Sequence, residues 1–166
     1  MNHLASQHGR GILRRGLSLI EVVVVVVVLG IAVPPSVVVV QEAVLARADA
    51  VQTTRAAALA QAVVEHVLAD VYSDAPGLGY AALADTNAWL NTPDAGLLAR
   101  AAGTASLYED LGFAYTIDVT PPHAASGVAT GDPELDLFRT VTVTVTWPRA
   151  TGGTQSLPIS VVVTEL

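Results

Sequence analysis

The stretch that decides the fold is Gly16-Leu17-Ser18-Leu19-Ile20-Glu21, which stands at the head of a long apolar run. Two arginines, Arg14 and Arg15, come immediately before it, and the apolar run continues with few interruptions from Leu17 to Val40. A carboxylate inside such a run is unfavourable, because a charge at the centre of a bilayer costs about 2.5–3.5 kcal/mol. The sequence therefore predicts a membrane helix in which Glu21 has a partner.

Residues 16–21 resemble the N-terminus of type IV prepilins and of the related pseudopilins of type II secretion. In that family a short basic leader precedes Gly, a large apolar residue, Ser or Thr, Leu, an aliphatic residue and Glu, and these six positions match in order. The resemblance implies cleavage after Gly16 by a prepilin peptidase, followed by N-methylation of the new first residue, Leu17. We expect Glu21, the fifth residue of the cleaved chain, to meet that new amine on a neighbouring subunit during assembly.

The composition excludes several classes of function. The chain has 166 residues and no cysteine, so it can form neither a disulfide framework nor a thiolate metal site. All eight basic residues are arginine, and removal of the leader takes away three of them, leaving 5 − 15 = −10 as the charge of the cleaved chain. So acidic a chain is poorly suited to binding nucleic acid. The basic leader predicts an N-terminus in the cytoplasm, with the later domain outside a bacterial inner membrane.

The apolar run has features that favour different structures. Residues 22–28 are seven consecutive valines, which favour strand in water, but in a bilayer the backbone must satisfy its own hydrogen bonds and helix is preferred. From Leu17 to Val40 such a helix is about 36 Å long, enough to cross the hydrocarbon core. Pro34 and Pro35 each remove a helical donor. We expect a kink or a locally melted turn between Gly30 and Ser36.

An amphipathic helix is predicted to follow, ending near Ser73 before Asp74-Ala75-Pro76-Gly77. Its apolar stripe recurs at three- and four-residue steps and comprises Val44, Ala48, Val51, Leu59, Val63, Val67 and Val71. Farther along, Asn87–Leu90 and Gly96–Arg100 are each long enough for a turn of helix. Strands are then predicted at 113–119, 141–147 and 157–163, where apolar and polar residues alternate most clearly between Thr140 and Trp147.

These elements predict an α+β, pilin-like fold, in which the amphipathic helix covers the apolar face of an antiparallel sheet. The predicted regions are a leader (1–16), a membrane or filament-core half of the helix (17–40), an amphipathic half (41–73), a variable connection (74–111) and a sheet region (112–166). The helix segment 54–65 and the strand-turn-strand pattern at the C-terminus look similar to minor pilins and minor pseudopilins, so the resemblance favours a minor subunit.

No catalytic constellation is apparent in the sequence, and we expect no enzyme activity and no cofactor. His66 and His123 lack a second histidine at ligand spacing, and structural roles are favoured for both. Asp132, Glu134 and Asp136 form an acidic alternation that is a weak candidate for calcium, because that ion takes several hard oxygen ligands. A solvated turn is the favoured interpretation of this loop.

The favoured interpretation is a structural filament subunit, and two alternatives remain open. The N-terminus could be a secretory signal cut after Ala46-Arg47-Ala48, before Asp49, although the apolar region is much longer than a signal peptide needs. The chain could instead be a single-pass anchor that carries a ligand-binding β-domain, which leaves Glu21 unexplained. The expected partners of a filament subunit are a prepilin peptidase and methyltransferase, other pilin or pseudopilin subunits, and membrane lipid before assembly.

Overall fold

The computed structural model describes residues 18–165 and has the α+β, pilin-like architecture predicted from the sequence. A long N-terminal helix, α1 (Leu19–Val71), is followed by a short 3₁₀ helix (Tyr80–Asp85), α2 (Thr86–Asn91), α3 (Leu97–Glu109) and the strands β1 (Ala114–Val119), β2 (Phe138–Pro148) and β3 (Thr154–Thr164). The chain divides into two compact units between Ala43 and Val44; the second contains the rest of α1 and the sheet.

Helix α1 continues without a break through Pro34 and Pro35. Of the two alternatives predicted between Gly30 and Ser36, a kink or a locally melted turn, the melted turn is therefore wrong. Each proline removes only one backbone donor, and the neighbouring residues keep the helical conformation around the gaps. In the same turn, the Ser36 hydroxyl donates a hydrogen bond of 2.8 Å to the Ala32 carbonyl oxygen. The loss of these two N–H donors therefore does not end α1.

The three strands form one antiparallel sheet in the order β1-β2-β3. Ile117 lies opposite Val143, and Val143 lies opposite Ile159, so the apolar residues of all three strands share one face. The three predicted strands are confirmed. Strand β2 extends beyond its predicted ends because Phe138 and Arg139 pair with Thr164 and Val163 of β3.

The apolar face of the sheet packs against the second half of α1. The buried residues of this core come from both elements, and they include Leu59, Val63 and Val67 of α1 and Val141, Val143 and Val145 of β2. The predicted stripe is thus confirmed in its second half.

The first half of the predicted stripe is wrong, because Val44, Ala48 and Val51 are exposed. Burial on α1 begins at Ala56. The step from Val51 to Leu59 is eight residues, which leaves the two side chains rotated by about 80° at 100° per residue. Val51 consequently lies outside the arc of the helix that the sheet covers.

The connection between α1 and the sheet is more helical than its sequence suggested. The predicted turn around Trp89 is α2, and the one near Leu97 is the start of the 13-residue helix α3. The 3₁₀ helix, α2 and α3 each contribute one large side chain to the core, since Leu83, Trp89 and Leu97 are buried in it.

Candidate assembly site

The described part of the first unit is an apolar helical surface that is exposed along its length. Every residue from Leu19 to Ala43 is exposed, although the stretch is dominated by valine. Helix α1 is long and apolar enough to cross a membrane, with a mean hydropathy of 2.9 in its most apolar window and none of that window buried. An exposed apolar surface of this size requires lipid or other protein around it.

Glu21 lies in the first turn of α1, at the third helical position. The Ser18 hydroxyl oxygen accepts a hydrogen bond of 3.3 Å from the Glu21 backbone N–H, and the Ser18 carbonyl oxygen accepts one of 3.2 Å from Val22. Ser18 therefore caps the helix, in the Ser-x-x-Glu spacing of a capping box. The positive end of the helix dipole favours a carboxylate at this position. Gly16 and Leu17, the predicted processing residues, lie outside the described residues.

A buried carboxylate that the sequence did not single out holds the connecting region to α1. Asp70 is 6% exposed, and its carboxylate accepts a hydrogen bond of 3.1 Å from the Trp89 indole N–H. The same oxygen forms an ion pair with the Arg100 guanidinium. The backbone carbonyl oxygen of Asp70 accepts a hydrogen bond of 2.9 Å from Gly79. One residue thus joins α1, α2 and α3.

Asp70 is not among the stripe residues that the sequence predicts. The available signal was its position three residues after Val67 and seven after Val63, which places it on the buried face of α1. A charge at such a position needs a partner, and Arg100 is the partner that the fold supplies.

A second contact ties α1 to the turn between β2 and β3. The Asp49 carboxylate accepts a hydrogen bond of 2.9 Å from the Ala150 backbone N–H. The guanidinium of Arg149 lies 3.8 Å from the other carboxylate oxygen. This contact fixes one end of the sheet near the middle of α1.

The loop that contains Asp132, Glu134 and Asp136 forms a turn held by hydrogen bonds between its own residues. The Asp136 carboxylate accepts hydrogen bonds from the backbone N–H groups of Thr130 and Gly131 at 3.0 and 2.8 Å. Its pKa is lowered, chiefly by the Thr130 N–H, with further lowering from Gly131 and the Thr130 hydroxyl. The Asp132 carboxylate accepts from the Glu134 N–H at 2.9 Å. Within residues 18–165, no group of three or more acidic or histidine side chains is placed to hold a metal ion.

The two histidines of the described chain lie on different elements. His66 is half-buried on α1. His123 is buried, with its Nε2 atom 2.9 Å from the Thr140 hydroxyl and its Nδ1 atom 2.9 Å from the Ala124 carbonyl oxygen. Hydrogen bonds at both ring nitrogens give His123 a role in holding the loop before β2 against the sheet.

Comparison of this chain with protein-family models, curated proteins and solved structures gives no match.

Proposed function

We propose that this chain is a structural subunit of a type IV pilus-like or type II secretion-like filament, and not an enzyme. It is made as a precursor, cut between Gly16 and Leu17 by a prepilin peptidase, methylated on Leu17 and assembled through α1. Before assembly the chain spans the bacterial inner membrane once, with its N-terminus cytoplasmic and its sheet domain outside.

The observation that carries this proposal is the exposed apolar half of α1. From Leu19 to Ala43 the helix is about 37 Å long and no part of it is buried. A simple anchor would need such a helix, but it would not need a carboxylate within its first turn. Glu21 combined with the match at residues 16–21 distinguishes a filament subunit from an anchor.

Assembly also supplies the partner that Glu21 requires. Cleavage before Leu17 creates a positively charged amine four residues from Glu21. In a bundle of parallel helices, the carboxylate of one subunit can pair with the amine of another, which removes two charges that are each costly in lipid. Such a pair fixes register more than it adds stability, because desolvation offsets much of the attraction.

The similarity of residues 54–65 and of the C-terminal strands to minor pilins favours a minor subunit. Its partners in that role are other pilin or pseudopilin subunits.

The signal-peptide alternative is disfavoured by the position of Asp49 inside α1. A cut before this residue falls within α1 and places a new chain end at the side chain that bonds Ala150. No contact in the described residues argues in this way against the other alternative, a plain membrane anchor that carries a binding β-domain.

The experiment that separates the three functions is N-terminal sequencing, with mass analysis, of the mature chain from its native membrane. A filament subunit begins at methylated Leu17, a secreted domain begins at Asp49, and a plain anchor retains Met1. Recovery of Met1 or Asp49 as the only N-terminus would contradict the proposal.

A further inference from the structure

The arginines of the second unit are unevenly distributed. Within residues 18–165 the ion pairs are Arg100 with Asp70 and Arg149 with Asp49. Arg139 is half-buried, with its guanidinium 5.8 Å from the centre of the Tyr80 ring. The two other arginines, Arg47 and Arg55, are both exposed on α1. Arg149 is also exposed, but it is paired with Asp49, so the exposed arginines outside these ion pairs in residues 18–165 both lie on α1.

Arg47 and Arg55 lie among apolar side chains on the side of α1 that the sheet leaves open. Val44 is 62% exposed and Val51 is 45% exposed. The successive steps from 44 to 47, 51 and 55 are three or four residues, so the four side chains share one face. We call Val44, Arg47, Val51 and Arg55 the basic face.

A surface of complementary character lies in the loop before β2. Asp132 and Glu134 are exposed there, and apolar side chains that follow them are also exposed. Leu135 is 56% exposed and Leu137 is 44% exposed. We call Asp132, Glu134, Leu135 and Leu137 the acidic loop. Each surface combines two charges with two aliphatic side chains, and the charges are of opposite sign.

The two surfaces lie at opposite ends of the sheet. The basic face lies at the same level of α1 as Asp49, on the other side of the helix, and Asp49 bonds Ala150 in the turn after β2. The acidic loop leads into Phe138, the first residue of β2. Because β2 has 11 residues, its ends are about 33 Å apart. One copy of the chain cannot bring its own basic face and acidic loop together.

We propose that the basic face of one copy docks on the acidic loop of the next copy. The occupant is a second copy because this chain carries both halves of the complementary pair. Such a contact uses two different surfaces, so it is heterologous, and it continues from copy to copy along an open filament when the rotation between copies does not close a ring. The inference rests on the proposed filament function, in a filament where copies of this chain are direct neighbours rather than isolated minor subunits, and it adds a contact between domains, outside the apolar half of α1.

The absence of native cysteine allows a direct test by crosslinking in the full-length chain. Ala48 lies next to the basic face, and Leu135 belongs to the acidic loop. Membranes containing the Ala48→Cys, Leu135→Cys double variant should give a ladder of disulfide-linked species longer than dimers under mild oxidation. The matched control is Ala48→Cys with Leu107→Cys, since Leu107 is 72% exposed on α3 and belongs to neither surface. Equal ladders from both pairs would overturn the proposal.

Charge reversal tests the electrostatic part of the contact. Arg47→Glu with Arg55→Glu, placed in the Ala48→Cys, Leu135→Cys chain, should reduce the ladder about tenfold, and so should Asp132→Arg with Glu134→Arg. All four reversals in one chain should restore it, because the pairing is then inverted. A failure to restore crosslinking in this swapped chain, with cleavage and Trp fluorescence unchanged, would contradict pairing between these surfaces.

The outcome separates this inference from the proposed function. A mature chain that begins at Leu17 and is recovered in filaments, but gives no 48–135 ladder, rejects the contact and leaves the function standing. A ladder from a chain that retains Met1 supports the contact and rejects the processing. Crosslinks from the Ala48→Cys thiol to a protein of different mass, without the ladder, would reject a second copy as the occupant.

Discussion

The indole N–H of Trp89 donates a hydrogen bond of 3.1 Å to the carboxylate of Asp70, 19 residues earlier in the chain, and both residues are buried. Arg100 completes the arrangement from α3. Asp70 thereby organises the connecting region, because the 3₁₀ helix, α2 and α3 contain few large apolar residues of their own to anchor them.

Replacement of this carboxylate should destabilise the domain. We expect Asp70→Ala to lower the free energy of unfolding by about 2–3 kcal/mol, because hydrogen bonds to charged groups contribute about 1.5–3 kcal/mol. Fluorescence of Trp89 and Trp147 during urea unfolding of the detergent-solubilised chain measures the change, since both residues are buried. Asp74→Ala, at an exposed position after α1, is the control and should leave the midpoint unchanged. Equal urea midpoints for Asp70→Ala and Asp74→Ala would show that Asp70 does not stabilise the domain.

The core of the sheet gives a stronger test of the fold. Val143 is fully buried on the central strand, opposite Ile117 and Ile159. We expect Val143→Asp to unfold the domain, because an unpaired buried charge costs several kcal/mol. Thr144→Asp places the same charge on the other face of the same strand and should stay folded. Circular dichroism in the near ultraviolet distinguishes the two, and a folded Val143→Asp chain would show that the other face is buried.

The sequence predicts those features of the fold that neighbouring residues determine, and it misses those that depend on residues far apart in the chain. The alternation of Thr and Val between 140 and 147 identifies β2 and its buried face, because in a strand each side chain's face follows from its position. The Asp70–Trp89–Arg100 arrangement was not predicted, since it joins residues up to 30 apart through a connection with no clear periodicity. The exposure of Val51 was missed because a stripe followed in three- and four-residue steps drifts around the helix, so its first residues lie outside the arc that the sheet covers.

The turn held by Asp136 should make the domain sensitive to acid. Hydrogen bonds from Thr130 and Gly131 lower the pKa of Asp136 in the folded chain below its ordinary value of 3.8. The unfolded chain therefore binds this proton first as the pH falls, so the stabilisation is present above pH 3.8 and is lost as the pH falls through the lowered folded value.

Asp136→Asn should accordingly reduce stability at neutral pH and reduce it less in acid. The measurement is the urea midpoint by tryptophan fluorescence at about pH 7 and at about pH 3, where the midpoints of variant and parent should approach each other. Glu134→Gln is the control, because the Glu134 side chain is exposed in the same loop. A constant difference between Asp136→Asn and the parent chain at both pH values would contradict the assignment.

Processing is tested at Gly16. The resemblance to prepilins implies a peptidase that accepts little side chain at this position, so Gly16→Val should leave the uncleaved precursor in the membrane. Intact mass analysis of the membrane fraction measures the ratio of precursor to mature chain. Gly11→Val, another glycine of the leader, should be processed normally. A normal mature mass from Gly16→Val would show that the peptidase does not require glycine at this site and would contradict the proposed cleavage after Gly16.

Assembly is tested at Glu21, which stands in the first turn of an exposed apolar helix. Glu21→Val removes the carboxylate and makes α1 more apolar, so membrane insertion, cleavage before Leu17 and the folded domain should all be retained. Incorporation into filaments should fall by about tenfold or more. The reason is that the positively charged amine at Leu17 of a neighbouring subunit loses its partner, and an unpaired charge is costly in an apolar environment. Glu21→Gln should behave in the same way, since the amide keeps the shape and loses the charge.

The matched control for this prediction is Glu42→Val, which removes the other exposed carboxylate of the same half of α1, 21 residues farther along. It should assemble normally, because Glu42 is too distant from the helix N-terminus to pair with a neighbouring amine at the same level. Co-purification of each processed variant with filaments, relative to its amount in the membrane, measures the difference. Normal incorporation of processed Glu21→Val, or an equal defect in Glu42→Val, would show that apolar packing alone directs assembly.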